Sequence, residues 1–169
     1  MDMWHPRAKL SDWPTLLALR DELRQNGKCL VWTNGCFDLL HPGHVASLQA
    51  ARRLGDVLVV GLNADASVRA NKGPTRPILT QAERAAMLAA LECVDYVIVF
   101  DEPTPAEALA RLQPDIHCKG AEYAPPHGRP VPEREVVERY GGRIEYLPLV
   151  PGLSTTELLR RIQGAQRAA

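Results

Sequence analysis

A chain of 169 residues has room for one hydrophobic core, and its 46% hydrophobic and 24% charged content is that of a globular domain, which sets aside disordered and fibrous architectures. Twenty Lys and Arg balance twenty Asp and Glu, so no general attraction draws the chain to nucleic acid or an anionic membrane, and any anion site must be local. No apolar run nears the roughly 18 residues of a membrane span and the start has no basic-then-apolar leader pattern, which together predict a cytoplasmic protein.

In chain order, Asp12-Trp13-Pro14 opens an amphipathic stretch carrying Leu16, Leu17, Leu19 and Leu23, and Asn26-Gly27 ends it. Residues 1–27 therefore read as an accessory helix and 28–169 as the main domain. Val31-Trp32 and the runs 57–62, 94–100 and 144–147 are rich in β-branched and aromatic residues, the pattern of buried strands. A further strand is expected just before Lys119-Gly120. A helix is predicted over 45–54, and Thr80-x-x-Glu83, Thr104-Pro105-x-Glu107 and Ser154-x-x-Glu157 each match a capping box at a helix start. Strands alternating with helices imply a parallel sheet covered on both faces. The fold class is α/β, a Rossmann-like three-layer sandwich with an extra N-terminal helix. The proline-rich segment 124–132 can continue neither a helix nor a central strand and should form a surface loop, and 163–169 should be a frayed helix end. Cys29, Cys36, Cys93 and Cys118 contain no C-x-x-C pair and read as reduced thiols.

The chemistry is expected between the first strand and the next helix, in Thr33-Asn34-Gly35-Cys36-Phe37-Asp38-Leu39-Leu40-His41-Pro42-Gly43-His44. Open parallel sheets bind ligands beyond the carboxyl ends of their strands. Pro42-Gly43 favours a sharp helix start that sets His41 and His44 in one first turn, so two imidazoles can face one ligand. The helix amino terminus adds unpaired N–H groups suited to a polyphosphate. Two other readings stay open: a plain turn with satisfied surface histidines, or zinc held by Cys36, Asp38, His41 and His44, although the spacing is not that of a standard closed site. Neither a P-loop nor a G-x-G-x-x-G fingerprint is present.

The segment resembles the HxGH signature of the nucleotidyltransferase superfamily, which includes cytidylyltransferases and small adenylyltransferases. Further matches follow in order: 61–67, Lys72-Gly73, 76–84, 91–96, Cys118-Lys119-Gly120 and 152–156. Across about 28–162 they resemble the D-glycero-β-D-manno-heptose 1-phosphate adenylyltransferases of ADP-heptose synthesis, which some organisms fuse to a sugar kinase; no kinase half is expected here. Ala121-Glu122-Tyr123 departs from the Gly-Asp-Tyr or Ala-Asp-Tyr more usual there.

The resemblance implies transfer of AMP from ATP to a heptose 1-phosphate, with release of pyrophosphate. It makes His41, His44 and Lys72 the catalytic candidates. Thr33, Asn34, Gly35, Phe37, Arg84, Lys119, Gly120, Ser154, Thr155 and Thr156 would bind nucleotide, and Asp38, Asn63, Asp65, Lys72 and Arg76 substrate. Magnesium is expected with ATP, without a dedicated protein cage. The expected partners are ATP and a sugar 1-phosphate, with neither nucleic acid nor membrane, and a homodimer is a family-level expectation. A glycerol 3-phosphate cytidylyltransferase, an FMN adenylyltransferase or a non-catalytic nucleotide-binding module would keep many of the same motifs.

Overall fold

The computed structural model describes residues 6–168. After a short 3-10 turn, α1 (Trp13–Gln25) leads into alternating strands and helices: β1 (Leu30–Gly35), α2 (Pro42–Arg52), β2 (Val57–Asn63), α3 (Asp65–Lys72) and α4 (Gln81–Ala89). There follow β3 (Tyr96–Phe100), α5 (Ala106–Leu112), β4 (Ile116–Gly120), α6 (Arg134–Arg139), β5 (Arg143–Leu147) and α7 (Thr155–Ala168). All five strands lie in one sheet of order β3-β2-β1-β4-β5, and every pairing is parallel. The Rossmann-like α/β expectation holds.

Alternation along the central strands explains the three layers, because successive side chains leave a strand on opposite faces. Val31, Leu58, Val60 and Leu62 pack with Leu48 of α2 and Leu88 of α4 on one face. Leu30, Trp32 and Val59 pack with Leu16 and Leu23 of α1, Leu109 and Leu112 of α5 and Val137 of α6 on the other. Gly61 is required here: a Cβ at that position would run into the indole of Trp32, which lies across β2. The N-terminal helix is thus part of the second core. It is also tied down by Arg20, whose guanidinium meets both oxygens of Asp115 at 2.8 Å.

The amino edge of the sheet is closed by one repeated device. Asp56, Asp95 and Asp115 stand just before β2, β3 and β4, and each accepts a backbone N–H at or next to the start of the adjoining strand: Cys29 at 2.8 Å, Leu58 at 2.7 Å and Leu30 at 2.7 Å. Each also pairs with a cation, respectively Lys28, Arg52 and Arg20. Burial pushes the Asp115 carboxyl up, but hydrogen bonds from Arg20 and Leu30 outweigh it and hold the group below the usual carboxylate value.

Helix starts follow the sequence signals unevenly. Thr80 and Glu83 form the complete reciprocal box at α4. At α7 only half forms: Ser154 Oγ accepts from Glu157 N at 3.1 Å, while the Glu157 carboxylate turns to Arg160. The box expected at Thr104 is absent. Pro105 takes the cap position of α5 and no side chain caps it, which leaves Glu107 one place too early to reach back. The helix predicted over 45–54 begins earlier, at Pro42, because His41 caps it. The helical segment α7 continues through residue 168; Ala169 and residues 1–5, including the start read for a leader, lie outside the described residues. No described helix is long and apolar enough to cross a membrane.

Candidate active site

Strand β1 pairs with β2 on one side and with β4 on the other, so the chain reverses its direction of travel across the sheet at the β1–β4 boundary. Such a switch point leaves a crevice at the carboxyl ends of the strands. A cavity of about 450 Å³ opens there. Thr33, Asn34, Gly35 and Phe37 line it from the end of β1, together with Asp38, and Lys119 and Gly120 from the end of β4.

The turn after β1 is held in a demanding shape. Phe37 has a φ of 45°, in the left-handed region that a bulky side chain rarely adopts. Asp38, only 1% exposed, anchors the turn. Its carboxylate pairs with Arg76 and accepts the N–H groups of Ile78 at 2.7 Å and Leu79 at 3.2 Å, tying the loop to the segment before α4.

At the start of α2, the His41 side chain accepts the His44 N–H, and the two imidazoles stack with centroids 3.8 Å apart and planes 23° from parallel. Phe37 lies 5.3 Å from the His44 ring centroid. Gly43 between them is a close-approach position: a Cβ would sit 3.0 Å from the His41 ring and 3.2 Å from Leu153. Burial lowers the pKa of both histidines; with the adjacent His41 ring and the Lys72 ammonium, it brings His44 to about 4. Both rings are therefore neutral near pH 7, and a bound polyanion would favour their charged forms.

Across the cavity, Ser154, Thr155 and Thr156 bring in the amino terminus of α7. Two helix starts with unpaired N–H groups thus border one space. Lys72, exposed at the last turn of α3, adds an ammonium at the rim. Leu149, Val150 and Leu153 supply an apolar wall. This combination suits a ligand with several phosphates and a flat or ring-shaped body.

Four expected ligand residues are placed elsewhere. Arg84 is 1% exposed and spends its guanidinium inside the protein, on the carbonyls of Leu79, Cys36 and Asn63 and on Asp65 Oδ1 at 2.7 Å. Asn63 is buried against Ser67 at 2.9 Å, and Asp65 is held by Arg84. Arg76 is engaged with Asp38. These groups brace the site from behind. Among the described residues, no group of three or more His, Cys, Asp or Glu side chains could hold a metal ion, and Asp38 is committed to its three partners. The four-ligand zinc arrangement is not formed.

Ser47, Glu122, Leu147 and the apolar wall around Leu149 also border the cavity, although no motif marks them as site residues. Glu133 lies under Lys119 at 2.9 Å and is likewise unmarked. A turn-rich stretch such as 147–153 could have been flagged by its position just before the Ser-Thr-Thr helix start; Glu133 carries no local signal.

Residues 32–161 match the cytidylyltransferase-like family. The chain is 57% identical over 148 residues to the bifunctional protein HldE of Syntrophotalea carbinolica, covering 86% of this chain and 30% of that one. It is 52% identical over 156 residues to the bifunctional protein HldE of Geotalea uraniireducens, covering 92% of this chain and 31% of that one. The chain thus spans about 30% of the length of these curated relatives. Among solved structures, the lipopolysaccharide core biosynthesis protein of Thermoplasma volcanium superposes with a TM-score of 0.59 at 28% identity, over 73% of this chain and 98% of that one. The pantoate-beta-alanine ligase of Francisella tularensis, at 13% identity and a TM-score of 0.56 over 94% of this chain and 78% of that one, shares the fold. The chain belongs to the cytidylyltransferase-like family.

Proposed function

We propose that this chain transfers AMP from ATP to a heptose 1-phosphate, releasing pyrophosphate and forming ADP-heptose. The observation that carries the reading is one cavity at the sheet's switch point in which stacked, neutral imidazoles at one helix start face the Ser/Thr start of another. The motif resemblance, the identity to bifunctional HldE proteins and the likeness to a lipopolysaccharide core biosynthesis protein support the choice of acceptor.

A sugar phosphate is mostly ionised at neutral pH, its second pKa being about 6, so its oxygen can attack without a general base. An oxygen–phosphorus bond forms at the α-phosphate as the bond to the bridging oxygen of the departing pyrophosphate breaks. No covalent link to the protein is needed. The chain's task is to align the two phosphates and to stabilise charge on the α-phosphoryl oxygens. His44 and His41 would donate hydrogen bonds there, with Thr155, Thr156 and the α7 N–H groups on the pyrophosphate side. Lys72 would hold the acceptor phosphate at the rim and Lys119 the nucleotide phosphates at the β4 end.

Magnesium bound to ATP supplies charge neutralisation. Its ligands would come from phosphate oxygens and water, since both Asp38 oxygens already accept hydrogen bonds from the protein. We assign catalysis to 28–169 and a bracing role to the α1 region, and place the enzyme in the cytoplasm, acting on small molecules.

The test is incubation with magnesium and ATP or CTP against a panel of phosphorylated acceptors, measuring pyrophosphate and the coupled product. Equimolar pyrophosphate and ADP-heptose supports the proposal. Turnover only with CTP and glycerol 3-phosphate overturns the acceptor and the base, and ATP binding without pyrophosphate from any acceptor overturns catalysis.

A further inference from the structure

Lys119 reaches the cavity from a wall with an unusual backing. Glu133, at the end of the proline-rich 124–132 loop and just before α6, turns its side chain inward and is 2% exposed. Its Oε1 lies 2.9 Å from Lys119 Nζ and 2.9 Å from Nε2 of His117, a residue with no exposed surface. The Lys119 ammonium also sits 4.5 Å from the centre of the Tyr123 ring. Val131, 8% exposed, is a second peg that seats the end of the loop.

Burial lowers the pKa of His117, so the ring is neutral and its Nε2–H donates to the carboxylate. Burial opposes ionisation of Glu133, but His117 and Lys119 outweigh it and hold the carboxyl at about 2. The result is an anion fixed by one neutral donor and one cation. A carboxylate beside a polyphosphate cavity subtracts positive potential from the wall, so net charge gives no reason for it. Geometry does. Lysine is a point charge on a flexible stem, and an ammonium restrained by a buried acceptor and a ring face keeps its remaining donors in register with a ligand.

We propose that Glu133 is a positioning residue for nucleotidyl transfer: it fixes the Lys119 ammonium at the β4 wall of the cavity, with His117 orienting the carboxylate and the 124–132 loop carrying it into place. This rests on the reading of the cavity as a nucleotidyltransferase site and adds a role for the loop that the reaction itself does not require.

Steady-state kinetics of Glu133→Gln, Lys119→Met and the double variant, with magnesium, ATP and heptose 1-phosphate, test it. Glu133→Gln keeps the shape and raises the wall's positive charge. The expected result is a fall in kcat of about ten-fold or more with the KM for ATP unchanged or lower. The double variant should be no worse than Lys119→Met alone, because both changes remove one function. Unchanged kcat in Glu133→Gln, or losses that multiply in the double variant, would overturn the proposal. If Glu133→Gln does not fold, Glu133→Asp decides, since it keeps the charge and withdraws it by one methylene. A lower kcat at unchanged melting temperature supports positioning, and an unchanged kcat refutes it. A wild-type chain that turns over, with Lys119→Met impaired and both Glu133 variants normal, removes this proposal alone. A wild-type chain without turnover removes the underlying reading and this proposal with it.

Discussion

The two ends of the sheet use similar residues to opposite purpose. At the amino edge, Asp56, Asp95 and Asp115 each find both a backbone donor and a cation, so the charges there are spent on joining strands. At the carboxyl edge, the imidazoles, Lys72 and the hydroxyls before and within α7 border a cavity, while Asp38 beside them and the buried Arg84 are bonded within the protein. On the proposed reading, function follows from which polar groups the fold leaves with bonds still to make. Residue type alone does not separate the two ends.

Arg84 is a carboxyl-edge cation bonded wholly within the protein, so its removal should fall on stability. Arg84→Met should cost about 3–5 kcal/mol of stability in chemical denaturation, because it strands Asp65 and the carbonyls of Leu79, Cys36 and Asn63. A loss below about 1 kcal/mol would show that the arginine is not a scaffold. His44→Ala makes the opposite prediction: kcat falls about 10²–10³-fold, the cost of removing one preorganised donor, with the denaturation midpoint nearly unchanged. Near-normal turnover in the folded variant would remove His44 from catalysis.

At the amino edge, Asp115→Ala should lower stability by about 1–3 kcal/mol, since it leaves the Leu30 N–H buried without its acceptor and frees Arg20. The kcat of the folded fraction should match wild type; a kcat loss comparable to that of His44→Ala would erase the distinction between the ends.

The smallest effect is a pH dependence. Unfolded His44 takes up its proton near its ordinary value of 6.5, whereas the folded ring resists until about 4 because it is buried. Between those values the unfolded state binds more protons, so folding stability should rise with pH across that window. Thermal melts should show this slope reduced in His44→Asn, and an unaltered slope would mean that the ring is not desolvated.

Much of the fold was legible because β-branched runs and a helix-capping box are local signals: the bodies of β1, β2 and β3 and the start of α4 follow from them. The paired histidines were legible for the same reason, since Pro42-Gly43 specifies a helix start in a few residues. The inward turn of Arg84 is not legible, because a helix position near the motif does not say which way the face turns; only packing against Cys36 and Asn63 does. Glu133 was invisible because its partners, His117 and Lys119, are separated from it by a loop whose prolines suggested only surface. The failed box at Thr104 shows a local signal losing to a competing one, the proline beside it.

The most direct measurement is a crystal structure with magnesium and a non-hydrolysable α,β-methylene analogue of ATP. The α-phosphate is expected within hydrogen-bonding reach of His44, with the β- and γ-phosphates toward Thr155 and Thr156. A triphosphate seated away from both imidazoles and from the start of α7 would contradict it.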